Sequence, residues 1–320
     1  MPRIPFEELH QKLTSALLAL GFTGQRAQAC ARLFAETTLD GVYTHGVARF
    51  PRFVRMVRAG HIDVHAEPEL VTPHGALERW DGRHGPGNLN AWQSMERAIA
   101  LAHAHGLGAV ALANTTHWMR GGTYGWQAAD AGCIGICWTN TLPNLPPWGS
   151  AEPRIGNNPM VIAVPRPAGH VVLDMAMSQF SYGALAAYRE RGEPLPVDGG
   201  FDEAGHLTRD AAAIEGSGRP LPIGYWKGSG LAVMLDLIAA MLAGGLATHQ
   251  IPPEPEREIG ISQFFLAIDP TVLGASGGIA DAIVASVGTR YPGQRTLEVR
   301  TENRKLGVPV DDGLWREICR

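Results

Sequence analysis

The 320-residue sequence predicts an α/β fold, and three observations support that class. From about residue 90 onward, stretches of helical periodicity alternate with short apolar strands. Two amphipathic helices precede this region, and short helices return at the C-terminal end. Hydrophobic residues make up 45% of the chain and charged residues 18%, enough apolar matter for a large buried core.

The elements follow in order. Residues 6–21 read as a helix because Phe6, Leu9, Leu13, Leu17 and Leu20 recur near helical spacing, and Gly21 ends it. Residues 25–39 give a second helix. Residues 45–58 read as mostly helical, with Pro51 either fixing the first turn or kinking it. The Pro- and His-containing segment 61–75 reads as a connection. NAWQSMERAIALAHAHG is a helix stopped by glycine and followed by the strand AVALA; YGWQAADAG is a short helix followed by the strand CIGICWT. Further strands are expected at 160–164, 170–175 and 264–268, and the strongest late helix at 229–243. The Pro/Gly-rich stretches 141–159 and 192–225 are long for plain connections, and long loops in compact domains tend to be functional. Asp311 is a fitting N-cap for DGLWREI.

Several classes are disfavoured. A net charge of −4 argues against a nucleic-acid partner, which needs a basic field. No cationic segment followed by an apolar run opens the chain. The apolar segment LAVMLDLIAAMLA is short for a bilayer and contains Asp236, so no membrane partner is expected and a cytoplasmic location is. Cys30, Cys133, Cys137 and Cys319 show no disulfide framework, and Cys133 and Cys137, in the strand-like GCIGICW, read as packing residues. GLGAVA at 106–111 fits a dinucleotide fingerprint but leaves a helix and enters a strand, the reverse of the required context. GASGG at 274–278 fits GxSxG without a following triad. No HExxH is present, HAH at 103–105 ends a helix, and no metal site is expected.

Three segments could carry chemistry. In GVYTHGVARFPRFVRMVRAG (41–60), Arg49, Arg52, Arg55 and Arg58 recur every third residue. On a helix His45 and Arg49 stand at i and i+4 with Arg52 one turn on. Such a pair suits a keto or hydroxy acid, the guanidinium gripping a carboxylate while imidazole moves a proton. A surface helix with snorkelling arginines is the bland alternative. ANTTHWMRGGTYGWQ (113–127) sets His117, Trp118 and Arg120 just past a strand's carboxyl end, where ligand crevices lie, or else His117 merely caps a helix. GYWKGSGLAVMLDLI (224–238) runs a Gly-rich turn into a helix beside Lys227, an anion cradle or a tight packing turn.

Ten segments occurring in order complete the reading: YTHGVARFPRF, HWMRGGTYGWQAADAG, IGICWTN, PPWG, RIGNNP, LDMAMS, LPVDGGFDEAG, GYWKGSG, GISQFF and ENRKLGVPVDD. Through them the chain resembles the type-2 malate/L-lactate dehydrogenase family from about residue 6 to its end. The resemblance implies a nicotinamide-binding domain distinct from Rossmann, with a central mixed sheet, spanning 76–289. It also implies a helical domain assembled from residues 1–75 and 290–320, and a homodimer. The implied activity is hydride transfer to a small-molecule 2-keto acid, here a keto sugar acid, with NADH or alternatively NADPH. Oxidation of 2-hydroxy acids, reduction of cyclic imino acids and a non-catalytic carboxylate-binding role are the alternatives.

By that resemblance His45 is the general acid/base, Arg49 the carboxylate ligand and His117 a second active-site histidine, with Thr44, Arg52 and Asn140 at the substrate. The cofactor strand matches His170, Val171, Val172, Leu173, Asp174, Met175 and Ala176. Trp226 and Lys227 give another cofactor contact, and Gly293, Gln294 and Arg295 a third. Arg295 stands where relatives often carry an acidic residue, and near an adenosine ribose it would weaken discrimination against a 2′-phosphate.

Overall fold

Leu9, Leu13 and Leu17 form one apolar stripe, and burying it lays α1 (Phe6–Ala19) along α2 (Gly24–Leu39) in the computed structural model, which describes residues 1–274 and 278–319. A two-residue strand, β1 (Arg3–Ile4), precedes α1. After α2 come two 3-10 turns, Tyr43–His45 and Val47–Arg49, and then α3 (Phe50–Arg58). The chain continues through β2 (Glu69–His74), β3 (Leu77–Asp81), α4 (Gly87–His105), β4 (Leu107–Thr116), α5 (Gly122–Asp130) and β5 (Ile134–Thr139). Next are β6 (Met160–Val164), β7 (Val171–Met175), α6 (Tyr182–Arg191), β8 (Gly200–Phe201), β9 (Leu207–Thr208) and α7 (Ala211–Ser217). Then follow α8 (Trp226–Ala243), β10 (Ile259–Ile268), α9 (Gly278–Val287), α10 (Gln294–Leu306), β11 (Val308–Pro309) and α11 (Asp312–Ile318).

Seven strands form one mixed sheet in the order β2-β3-β4-β10-β5-β6-β7. Within it β3 and β4 run parallel and the other pairings are antiparallel. The alternation along β4 explains its apolar composition. Val110 and Leu112 face α4 and α5, meeting Ala91, Met95, Ala98 and Phe265. Ala109, Ala111 and Ala113 face the opposite layer, where α8 presses Ala232, Leu235, Ala239 and Ala243 against Trp138 and Phe264. A third core joins α1, α2 and α3 to Val308, Val310 and Ile318 from the far end of the chain, and β1 pairs with β11.

Four local expectations change. Residues 45–58 are not one helix, for a reason given below. Within 61–75, residues from Glu69 onward form the sheet's edge strand β2. The stretch 192–225 is not a plain loop: α6, α7 and the β8–β9 pair enclose Leu185, Leu195, Ala211 and Ile214. The late helix begins at Trp226 and reaches 18 residues, long and apolar enough by composition to cross a membrane, yet here it covers one face of the sheet. Cys133 and Cys137 are buried free thiols, as packing residues should be; Cys30 is buried as well, its thiol pushed up to about 12 by burial, and Cys319 is exposed. Part of GASGG lies outside the described residues.

One ion cluster ties these parts together. Asp40, at the end of α2 and nearly inaccessible, receives Arg300 from α10 through Nε at 2.6 Å and Nη2 at 2.8 Å, and also Arg120 Nη1. The Arg300 guanidinium lies 4.5 Å from the centre of the Trp126 ring. Replacing Asp40 by Asn leaves two guanidinia around a neutral amide. Chemical denaturation of Asp40→Asn is expected to show a loss of about 3–5 kcal/mol, the cost of breaking a buried ion pair.

Candidate functional site

The segment after α2 is shaped by one hydroxyl. Thr38 Oγ1 donates to the Phe34 carbonyl at 2.7 Å and accepts from the Val47 N–H at 2.8 Å, drawing the chain against α2. A Cβ on Gly46 would lie 2.3 Å from that oxygen, so only glycine passes there. Gly46 takes φ −93° and ψ −130°, which breaks the helix and sets His45 and Arg49 on separate 3-10 turns. Pro51 then sits in the first turn of α3, where its missing N–H costs nothing. Phe50, Phe53 and Met56 enter the core, leaving Arg49 and Arg52 on the side facing the start of β10.

His117 follows the last residue of β4. Its ring lies 6.0 Å from that of His45, centre to centre, with 21° between the planes. The Met119 N–H donates to His117 Nδ1 at 3.0 Å, which puts the ring proton of the neutral form on Nε2. Met119 and Asn114 hold φ of 66° and 52°, left-handed values on either side of this histidine. On the other ring, Thr44 Oγ1 is 3.1 Å from His45 Nδ1, so His45 Nε2 is left for a ligand. Gly183 at the start of α6 lies close over Thr44, where a Cβ would come within 3.2 Å of the threonine methyl.

Electrostatics hold both imidazoles neutral. Both rings keep some open surface but are crowded enough for desolvation to dominate. It is the largest cause lowering His45 from 6.5 to about 4, with Arg49 and Arg120 adding repulsion. His117 is pushed down in the same way, by desolvation and then by Arg49, His45 and Arg52. Desolvation, helped by Arg52, brings even Arg49 down to about 10, while Glu258 pulls it back up. Arg49, Arg52, His45 and His117 thus share one electropositive cleft.

Glu258, which the sequence reading passed over, belongs to this cleft. Its carboxylate lies 4.0 Å from Arg49 Nη2 and 3.8 Å from Arg52 Nη2, and it accepts the Leu142 N–H at 3.3 Å. In EPEREIG it reads as one more charge in a solvated run, and no local pattern marks it. Asn140 differs from expectation. It is fully buried, its amide donates to Asp236 and the Leu246 carbonyl, each at 2.8 Å, and its oxygen accepts the Ser262 N–H at 2.8 Å. With both donors used, it offers a substrate none; it clamps β5, α8 and β10 together.

The three segments expected at a cofactor gather around β7, an edge of the sheet. The Val172 N–H donates to the Pro292 carbonyl at 3.0 Å, and a Cβ on left-handed Gly293 would sit 3.1 Å from the Val172 nitrogen. Gly293–Arg295 therefore lies along the outer edge of β7, with Arg295 exposed. Past the strand's end, the Ile223 N–H donates to the Met177 carbonyl at 2.8 Å, bringing the start of α8 alongside; Trp226 there is 66% exposed and Lys227 is exposed. His170, at the other end, is engaged with Asp130 at 2.9 Å and the Arg166 N–H at 3.0 Å. Gly122 donates to Asp174 at 2.8 Å. The Ser178 hydroxyl, 5% exposed, has no hydrogen-bond partner among the described residues. Past the strand's end, an idle hydroxyl, an exposed indole and the exposed Lys227 could meet a dinucleotide, while Arg295 lies exposed along the strand's outer edge. Among the described residues no group of three or more His, Cys, Asp or Glu could hold a metal ion.

A family model described as malate/L-lactate dehydrogenase matches residues 4–319. The chain is 47% identical to 2,3-diketo-L-gulonate reductase of Citrobacter koseri and 46% identical to that of Klebsiella pneumoniae, each over 99% of both chains. Sulfolactate dehydrogenase from Methanocaldococcus jannaschii has a similar structure, with a TM-score of 0.90 at 26% identity, covering 99% of this chain and 96% of that one.

The depressed histidines make stability depend on pH. Between 6.5 and about 4 the folded protein binds fewer protons at His45 than the unfolded chain does. Stability from this source is full above 6.5 and drains away as pH falls toward 4. Thermal melts across that window should show a shallower decline for His45→Asn than for the parent protein.

Proposed function

Since the chain belongs to the malate/L-lactate dehydrogenase family, we propose that it is a nicotinamide-dependent reductase of a 2-keto sugar acid, converting 2,3-diketo-L-gulonate to 3-dehydro-L-gulonate. Family membership makes it an oxidoreductase acting on CH–OH groups. The observation that carries the finer reading is the convergence of His45, His117, Arg49 and Arg52 on one cleft, together with the activity named for the two bacterial relatives.

In this reading Arg49 grips the substrate carboxylate and Arg52 adds a second guanidinium. His117 points its Nε2–H at the carbonyl oxygen, a fixed donor for the charge that grows there. The reduced nicotinamide supplies the hydride when bound. His45 delivers the proton to the new hydroxyl. Neutral in the free protein, His45 must first take up that proton. Burial is the main cause of its low pKa and persists with a ligand in place, but the substrate carboxylate offsets Arg49, the next cause, and so eases proton uptake. The neutral resting state also favours the reverse reaction, in which His45 removes a proton from a 2-hydroxy acid.

Val171–Ala176, Trp226, Lys227 and Gly293–Arg295 would hold the cofactor. NADH is the proposed donor, and Arg295 would let NADPH serve as well. The chain would act in the cytoplasm as a homodimer, with residues 1–75 and 290–320 set around 76–289. Support for a dimer comes from α8, whose outer side exposes Leu231, Met234, Leu237 and Met241, the last at 77%.

Mixing the protein with NADH and 2,3-diketo-L-gulonate is expected to consume the nicotinamide absorbance, faster than with pyruvate or oxaloacetate. His45→Ala should lose about 10²–10⁴-fold in turnover while still binding cofactor, and near-normal turnover would remove His45 from the role. Arg49→Lys should mainly raise the Michaelis constant, because an ammonium cannot copy a two-pronged grip. Arg295→Glu should cut kcat/KM for NADPH far more than for NADH.

A further inference from the structure

We propose that Glu258 sets the charge of the substrate cleft, cancelling one of its two guanidinia so that it accepts acids with one carboxylate and rejects those with two. The inference rests on the reading of the cleft as a 2-keto acid site. The Glu258 side chain is 4% exposed and sits between Arg49 and Arg52 at 4.0 and 3.8 Å. Those separations are too long for hydrogen bonds. The carboxylate therefore cancels charge without occupying the guanidinium N–H groups, which remain free to grip a ligand. Arg52 Nε is buried and has no partner among the described residues.

The neighbouring charges are already spoken for. Arg55 pairs with Glu256 at 2.8 Å, and the two act on Arg52 with opposite signs, so as a pair they add no net charge. Arg120 and Arg300 close on Asp40, and Arg120 also faces Asp174 at 4.0 Å. His45 and His117 rest neutral. What faces the ligand is two cations and one anion, a net charge matched by one carboxylate. A second carboxylate would find no uncancelled guanidinium to meet it and Glu258 close by, while the proton that His45 takes up is spent on the carbonyl oxygen. Rejection of that kind works through repulsion rather than a tighter grip on the favoured acid.

Glu258→Gln keeps an oxygen for the Leu142 N–H and removes the charge. The experiment measures kcat/KM for 2,3-diketo-L-gulonate and oxaloacetate, with calorimetric titration of the unreactive acids oxamate (one carboxylate) and tartronate (two). The ratio of two-carboxylate to one-carboxylate acids should rise about tenfold or more in Glu258→Gln and stay at the parent value in Glu258→Asp. An unchanged ratio, or equal losses for both classes, would overturn the proposal and leave Glu258 a packing residue. If Glu258→Gln does not fold, Arg52→Gln should move the ratio the opposite way, and an unmoved ratio there is equally fatal. A parent enzyme that reduces none of these acids would defeat the reductase reading, while the titrations would still decide the charge argument.

Discussion

The contact of Asp40 with Arg120 and Arg300 is the constraint on which the rest depends. Asp40 lies five residues before His45, and Arg120 three residues after His117. Closing that ion pair fixes two short tethers, and the two imidazoles come to face each other at their ends. Arg300 brings in α10, so the last part of the chain braces a site built from its first and middle parts. A buried cluster of this kind adds little net stability, since desolvation of its charges offsets most of their attraction. Its worth here is geometric.

The cleft works through what it withholds. Crowding desolvates both histidines, which lowers their affinity for protons, and the adjoining guanidinia lower it further. The resting site is thus short of negative charge and short of one proton. A keto acid brings the charge, which in turn favours the proton. Thr44 on one ring and the Met119 N–H on the other hold each imidazole by Nδ1, so both Nε2 atoms are reserved for the ligand.

Much of this was legible in the residues. The stripe of Leu9, Leu13 and Leu17 gives α1, and the alternation along β4 gives a strand covered on both faces. The rejection of GLGAVA as a fingerprint holds, because α4 ends at His105 and β4 begins at Leu107. His45, Arg49 and His117 were legible as chemistry-bearing types near strand and helix ends. The break at Gly46 was not, because its cause is the Thr38 hydroxyl on another element. Glu258 and Asp40 escaped notice for a related reason: their partners lie about 200 and 260 residues away, and no periodicity records such pairings. The resemblance puts Asn140 at the substrate, whereas its amide closes on Asp236, Leu246 and Ser262, contacts that its sequence neighbours do not record.

The position of β10 has a consequence for biogenesis. It is the middle strand of seven, yet it is encoded at Ile259–Ile268, after both strands it separates. A chain leaving the ribosome presents β4 and β5 with open hydrogen-bonding edges until that late segment emerges and inserts between them. Sheet closure therefore waits on a pairing more than 120 residues from β5, a slow, long-range step during which nascent copies are vulnerable to sticking to one another.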